Sequence, residues 1–278
     1  MKNNYQRKLI QSAVISTVLG SGIALAGPVE VTPAPPIEVP SEDVVSGSFN
    51  LDYNSHFFSY GLDVWGDGDD AFQMGFYPSA ELAFALPAGF SATVGVWAEV
   101  HEKTGATTTI GGNIQEIDIY AGLAYTHGNF TVGATYQNWF YLSDVEDILD
   151  ITFSYDTFLS PSFTIHNRID AGAANDEGTI LVLGLEHGFE AGPVSFSIPF
   201  AVGYFLDDNF HSAGADDGFG YATLGLQASV PLSSLIGDAY GDWSLNAGVT
   251  LYVTDDGVIP NNPEDTFVAT NIGLGLSF

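Results

Sequence analysis

Cysteine is absent from the 278 residues, and lysine and arginine together number only five. Without thiols there is no disulfide framework and no acceptor for a lipid anchor, so stability has to come from packing and backbone pairing. The shortage of cations is sharper than the count suggests. Lys2, Arg7 and Lys8 stand at the N-terminus, which leaves Lys103 and Arg168 against all 34 acidic residues. That balance excludes a nucleic-acid partner, whose phosphates need a basic surface. It equally excludes adhesion to anionic lipid through a basic patch. Beyond residue 26 no apolar run is long enough to cross a bilayer as a helix. Yet the chain is 46% hydrophobic and 13% aromatic, too apolar for a disordered polyanion.

The three N-terminal cations precede an apolar stretch, Leu9 to Ala26, that ends in Ala24-Leu25-Ala26. This is the pattern of a secretory signal peptide over residues 1–26, cleaved before Gly27. Gln11, Ser12, Ser16, Thr17 and Ser21 interrupt the stretch and make it a poor membrane anchor. Residues 27–45 carry Pro28, Pro33, Pro35, Pro36 and Pro40, which removes backbone donors and predicts an extended periplasmic linker.

From Ser46 onward the dominant signal has period two. Val268, Thr270, Ile272, Leu274, Leu276 and Phe278 alternate with Phe267, Ala269, Asn271, Gly273, Gly275 and Ser277, so one face is greasy and the other mostly small or polar. The same alternation runs through Trp243, Leu245, Ala247, Val249, Leu251 and Val253. Strands are predicted at 46–57, 71–86, 90–101, 114–127, 129–140, 147–157, 162–173, 178–187, 193–205, 219–231, 242–253 and 266–278. The connections then alternate between turns such as Gly128-Asn129 and longer, acid-rich loops. Residues 46–278 are therefore expected to form an all-β, transmembrane, antiparallel up-and-down β-barrel of about 12 strands in a bacterial outer membrane. A soluble β-sandwich also alternates, but gives no reason for loops to segregate by length or for a strand to end on Phe278.

The last strand, with Phe278 preceded by Leu276, Leu274 and Ile272, resembles the assembly signal of bacterial outer-membrane barrels. The segments SGSFNLDYNSHFFSYGLDVW (46–65), IQEIDIYAGLAYTHGNFTVGATYQNWFY (114–141) and DILDITFSYDTFLSPSF (147–163) resemble the TorF-like family of putative porins. The resemblance implies a small barrel that passes small solutes, with outer-membrane lipids and the barrel-assembly machinery as partners. It carries over no catalytic residue.

If the greasy face meets lipid, parity assigns the other face to a lumen. Asp52, Glu81, Glu99, Glu116, Asp118, Asp150, Asp156, Arg168, Asp170 and Glu186 are then expected to point inward. Nine carboxylates and one guanidinium predict a path that favours small cations. Glu99 and Glu116 are expected to sit close together, and Arg168 is expected opposite Asp150. Three rival readings stay open: a side-chain-filled lumen, a structural or adhesive barrel, and a barrel lipid hydrolase. The hydrolase reading has only the pairs Ser55-His56 and His166-Asn167 to draw on, and no recognisable motif surrounds them. The aspartates at 67, 69 and 70 do not make a calcium loop, since Pro78 stands where the closing acid belongs. They are expected to be solvated loop acids, with no metal and no cofactor implied.

Overall fold

A computed structural model describes residues 44–66, 74–101, 110, 113–141, 144–172, 176–237 and 241–278. The expected signal peptide, most of the linker, Lys103, and Asp67, Asp69 and Asp70 lie outside the described residues. Twelve strands form one closed barrel. They are β1 (Val45–Asn54), β4 (Gly75–Ala85), β5 (Phe90–Val100), β6 (Ile114–His127), β7 (Phe130–Phe140), β8 (Val145–Tyr155), β9 (Ser162–Asp170), β10 (Gly178–Ala191), β11 (Val194–Phe205), β12 (Gly218–Pro231), β13 (Asp242–Thr254) and β14 (Thr266–Ser277). Each pairs antiparallel with its neighbours in sequence. A two-residue-per-strand hairpin, β2 (Phe58–Ser59) with β3 (Leu62–Asp63), lies in the connection between β1 and β4.

The alternation dictates this arrangement. On β14, Phe267, Ala269, Asn271, Gly273 and Gly275 are buried while Val268, Ile272 and Leu274 are exposed. A strand of 12 residues, at about 3.3 Å per residue and tilted about 40°, rises about 30 Å along the barrel axis. Closure satisfies the edge donors and acceptors that a flat sheet would leave unpaired. It is made by β1 against β14, with Ser48 opposite Ser277 and Asn54 opposite Asn271. At the seam's end the Gly47 amide donates to the Phe278 carbonyl at 2.9 Å, and the Phe278 amide donates back at 3.1 Å.

The two ends differ as the loop lengths predict. One end carries short turns, among them Gly128-Asn129, Gly192-Pro193 and the six residues from Asp156 to Pro161, together with the short helix α1 (Ser233–Ile236) between β12 and β13. The segment from Gly188 to Ala191, expected as a turn, instead continues β10 against β11 down to Ala191 opposite Val194. The other end carries the longer connections, and all three register irregularities fall toward it: between Glu99 and Val100, between Asp147 and Ile148, and between Gly203 and Tyr204. Such bulges re-aim side chains at a barrel rim.

Candidate functional site in the bore

Inward positions are filled differently along the axis. Toward the short turns they are small or neutral: Ser79, Ser91 and Thr93, then Thr131, Gly133 and Thr135, then Thr152 and Thr164. Glycine makes room there for its neighbours. Gly95 sits between Glu81 on one side and Tyr120 on the other, and a Cβ on it would lie 2.3 Å from the Tyr120 hydroxyl. Tyr120 thus lies flat across β5 and donates to Glu81 Oε2 at 3.0 Å.

Toward the long loops the bore is packed with rings and acids. Glu99 and Glu116 are directly opposite each other on β5 and β6, as their spacing predicts, and both are buried. Asp118, one inward step along β6, is 0% exposed and lies between Trp97 and Trp139. Asp52 is buried beside Gly273, its Oδ1 only 1.8 Å from where a Cβ on that glycine would stand. Glu186 on β10 is also inward but lies toward the short turns, half-buried, with its amide donating to the Leu159 carbonyl at 2.8 Å.

Two expected lumen residues lie elsewhere. Asp156 is exposed in the turn after β8, which ends at Tyr155, so parity no longer applies to it; its amide donates to the Asn129 carbonyl at 2.8 Å. Asp170 is exposed because the bulge between Asp147 and Ile148 sets it opposite Asp147, on the outward face. Its Oδ1 accepts the Gly172 amide at 3.0 Å.

The expected pairing of Arg168 with Asp150 is also displaced. Asp150 faces His166, and His166 Nδ1 lies 2.7 Å from Asp150 Oδ1. Gln137 Nε2 donates to the other Asp150 oxygen at 2.7 Å. Arg168 instead forms a buried ion pair with Glu146, Nε to Oε2 2.9 Å. It also donates to the Phe210 carbonyl at 2.8 Å and the Asp176 carbonyl at 3.2 Å, with its guanidinium 3.8 Å from the Phe210 ring centroid. A hairpin whose turn centre moves by one residue shifts each cross-strand partner by two, which is the size of the error.

The sequence reading kept a side-chain-filled lumen open but did not foresee that a loop supplies the filling. The segment from Ser55 to Gly66 folds inward and touches wall strands all round. Phe57 stacks on Tyr77 of β4 and Trp97 of β5, at 6.0 and 5.9 Å between centroids. Phe58 stacks on Tyr252 of β13 at 4.2 Å and Phe267 of β14 at 5.4 Å. Tyr60 packs on His166 of β9 and hydrogen-bonds its Nδ1. A Cβ on Gly61 would meet the Tyr221 ring of β12 at 2.7 Å. An element that touches opposite walls of a closed barrel crosses its bore. Two later loops complete the plug with Phe210, Val258 and Ile259.

The plug holds polar residues inside the bore. Asp63 is 2% exposed. Ser55 and His56 do meet, Oγ to Nδ1 2.7 Å, but inside the bore, where Ser55 Oγ also accepts the Thr270 amide at 2.9 Å. That hydroxyl extends the β1–β14 ladder and faces no lipid. In the loop after β11, His211 Nε2 lies 3.2 Å from the Tyr60 carbonyl. Burial, then the charge of Arg168, pushes the His211 pKa down to about 3. Tyr141, just past β7, has its pKa pushed well above the ordinary phenol value by burial and then by Glu116, Glu146 and Asp118.

The signal for the plug was present in the sequence. The residues SHFFSYGLDVW hold four aromatic rings besides His56, and a solvated loop has no use for them.

Fold and bore together define a closed twelve-stranded antiparallel barrel whose inward face is plugged at the long-loop end. No family model matches the chain, and no curated protein matches it. Solved structures do match. The COG4313 outer membrane channel from Pseudomonas putida F1 is similar at 11% identity and TM-score 0.49, over 84% of this chain and 95% of that one. The KdgM porin in complex with disordered oligogalacturonate is similar at 10% identity and TM-score 0.46, over 84% and 99%. The NanC porin is similar at 7% identity and TM-score 0.46, over 83% and 98%.

Proposed function

We propose that this chain is an outer-membrane, porin-like channel for small solutes whose path favours cations. The observation that carries the reading is the inward wall of carboxylates, Asp52, Glu99, Glu116, Asp118 and Asp150, with Arg168 as its one described cation and that cation already held by Glu146. Unpaired acids in a narrow lumen attract counter-ions and raise their local concentration. The outward face supports the membrane setting. Exposed Val94, Ile119, Leu123, Leu224 and Leu274 lie between exposed aromatics at the two ends, Phe90, Phe130 and Phe189 at one and Tyr53, Tyr204 and Phe219 at the other. Apolar bands flanked by aromatic girdles suit a bilayer with its interfaces. On this reading residues 1–26 direct export, residues 27–45 form a periplasmic linker, and the long loops face outside. The resemblance to TorF-like putative porins agrees with it.

Reversal potentials across a planar bilayer under a salt gradient test the proposal. Cation selectivity is expected at neutral pH, weakening as salt rises. Replacing Glu99, Glu116 and Asp118 by their amides should reduce it more than neutralising Asp67, Asp69 and Asp70, whose reach at the mouth is limited to a Debye length of about 8 Å at physiological salt. Anion selectivity would overturn the reading. The packed rings of the plug favour one alternative, a structural barrel without transport, and a barrel silent both with and without its plug would put that alternative first.

A further inference from the structure

We infer that the hairpin from Ser55 to Gly66 is a displaceable gate, seated across the bore in the closed state. The inference rests on the channel reading. Three features separate this hairpin from an ordinary packed core.

The first is how it is held. Its only ladder is its own, Phe58 with Asp63 and Ser59 with Leu62. To the wall and the other loops it is tied by ring stacking and a few isolated hydrogen bonds. Among them are Tyr60 to His166, His211 Nε2 to the Tyr60 carbonyl at 3.2 Å, Tyr77 Oη to the His56 carbonyl at 3.3 Å, and Asn262, which accepts the Asp63 amide at 2.7 Å and donates to the Gly61 carbonyl at 2.9 Å; the root, Ser55, is bonded to Thr270. Such a seat can be left without unzipping a strand of the barrel.

The second is the backbone. Tyr60 sits in the left-handed region at φ 44°, followed by Gly61 at 80° and, at the far end, Gly66 at 62°. A side chain with a Cβ is disfavoured there, so the conformation persists only while the surroundings impose it. The near end is fixed, since the Ser55 amide donates to the Thr270 carbonyl at 2.9 Å. The hairpin therefore has an anchored root, a strained tip and a glycine at its exit.

The third lies against the wall. Glu99 and Asp118 are buried with no hydrogen bond of good geometry to either carboxylate oxygen, next to the rings that the hairpin brings in. Buried carboxylates so poorly satisfied are costly. Water admitted by an open hairpin would relieve that cost, and the path so exposed would be lined by the acids that give the cation preference.

Because the chain has no cysteine, the test has a clean background. One variant replaces Phe57–Val64 by an equal length of Gly-Ser linker, with heat-modifiable gel mobility as the check that the barrel has formed. A second, Asp63→Cys with Asn262→Cys, is joined by a short reducible thiol crosslinker. In planar bilayers the linker variant should conduct several-fold more than the wild type. The crosslinked variant should lose its openings and recover them on reduction. Wild-type conductance in both variants would overturn the gate and leave the channel reading standing. Silence in the wild type, the linker variant and the reduced double-cysteine protein alike would overturn both. If the linker variant does not form a barrel, the crosslinking arm decides alone.

Discussion

The two ends of the bore are built from the same alternation and reach opposite results. At the short-turn end the inward residues are mostly serine, threonine and glycine, which can pair across the strands, as where Thr152 and Thr164 meet at 3.1 Å across β8 and β9. At the long-loop end the inward residues are tryptophan, tyrosine and carboxylates, and they need the plug to cover them. Period two decides which face is inward. It does not decide whether that face meets water or another part of the chain. The three bulges at the long-loop end mark where the regular ladder yields to the plug.

The difference can be broken at three points. The largest effect is expected at the short-turn end, where the Phe278 backbone closes the seam against Gly47. Deleting Phe278 should sharply lower outer-membrane yield and heat-modifiable barrel, whereas the plug variants should assemble. Wild-type yield from the deletion would remove the assembly role from this residue. Next comes the contrast inside the bore. Arg168→Ala leaves Glu146 buried without its partner and releases two loop carbonyls, which should cost about 3–5 kcal/mol in urea unfolding. Thr152→Val at the quiet end removes one hydroxyl contact and should cost about 1 kcal/mol. Equal costs would mean that the two ends share one stability.

The smallest effect is the pH dependence of the plug. His211 is neutral in the folded state, with its pKa pushed down to about 3, while in the unfolded chain it titrates near the ordinary value of about 6.5. Its contribution is therefore fully present above that ordinary value and is lost as pH falls toward the folded one, because the unfolded chain binds the proton first. Between pH 7 and pH 5 this amounts to about 2 kcal/mol. His211→Gln should lose less than the wild type over that interval, measured as the urea midpoint. An identical loss would show that His211 is not buried by the plug.

Much of this barrel was legible in its residues. The twelve strands follow from alternation, and so does the meeting of Glu99 with Glu116, because a hairpin fixes its partners by arithmetic. The same arithmetic failed for Arg168. The register of β8 against β9 centres their hairpin on Phe158, one residue before Leu159, where the strand pattern placed it. Asp156 and Asp170 were lost for a related reason: parity ends where the ladder ends or bulges. The loop's part in the plug was not foreseen because this connection was read by its acids, although Phe57, Phe58, Tyr60 and Trp65 stand beside Asp63 in it. A loop's aromatic content was the better guide than its charge.

The seating of Phe58 has a consequence for the order in which the molecule is made. Its two stacking partners, Tyr252 and Phe267, belong to the last two strands of the chain, while the hairpin itself follows the first strand. Contacts so distant along the chain are slow to form and cannot precede closure. The hairpin thus emerges early but acquires half of its seat only when β13 and β14 arrive. Until then the hairpin cannot be fully seated, and its insertion reports that the final strand has docked.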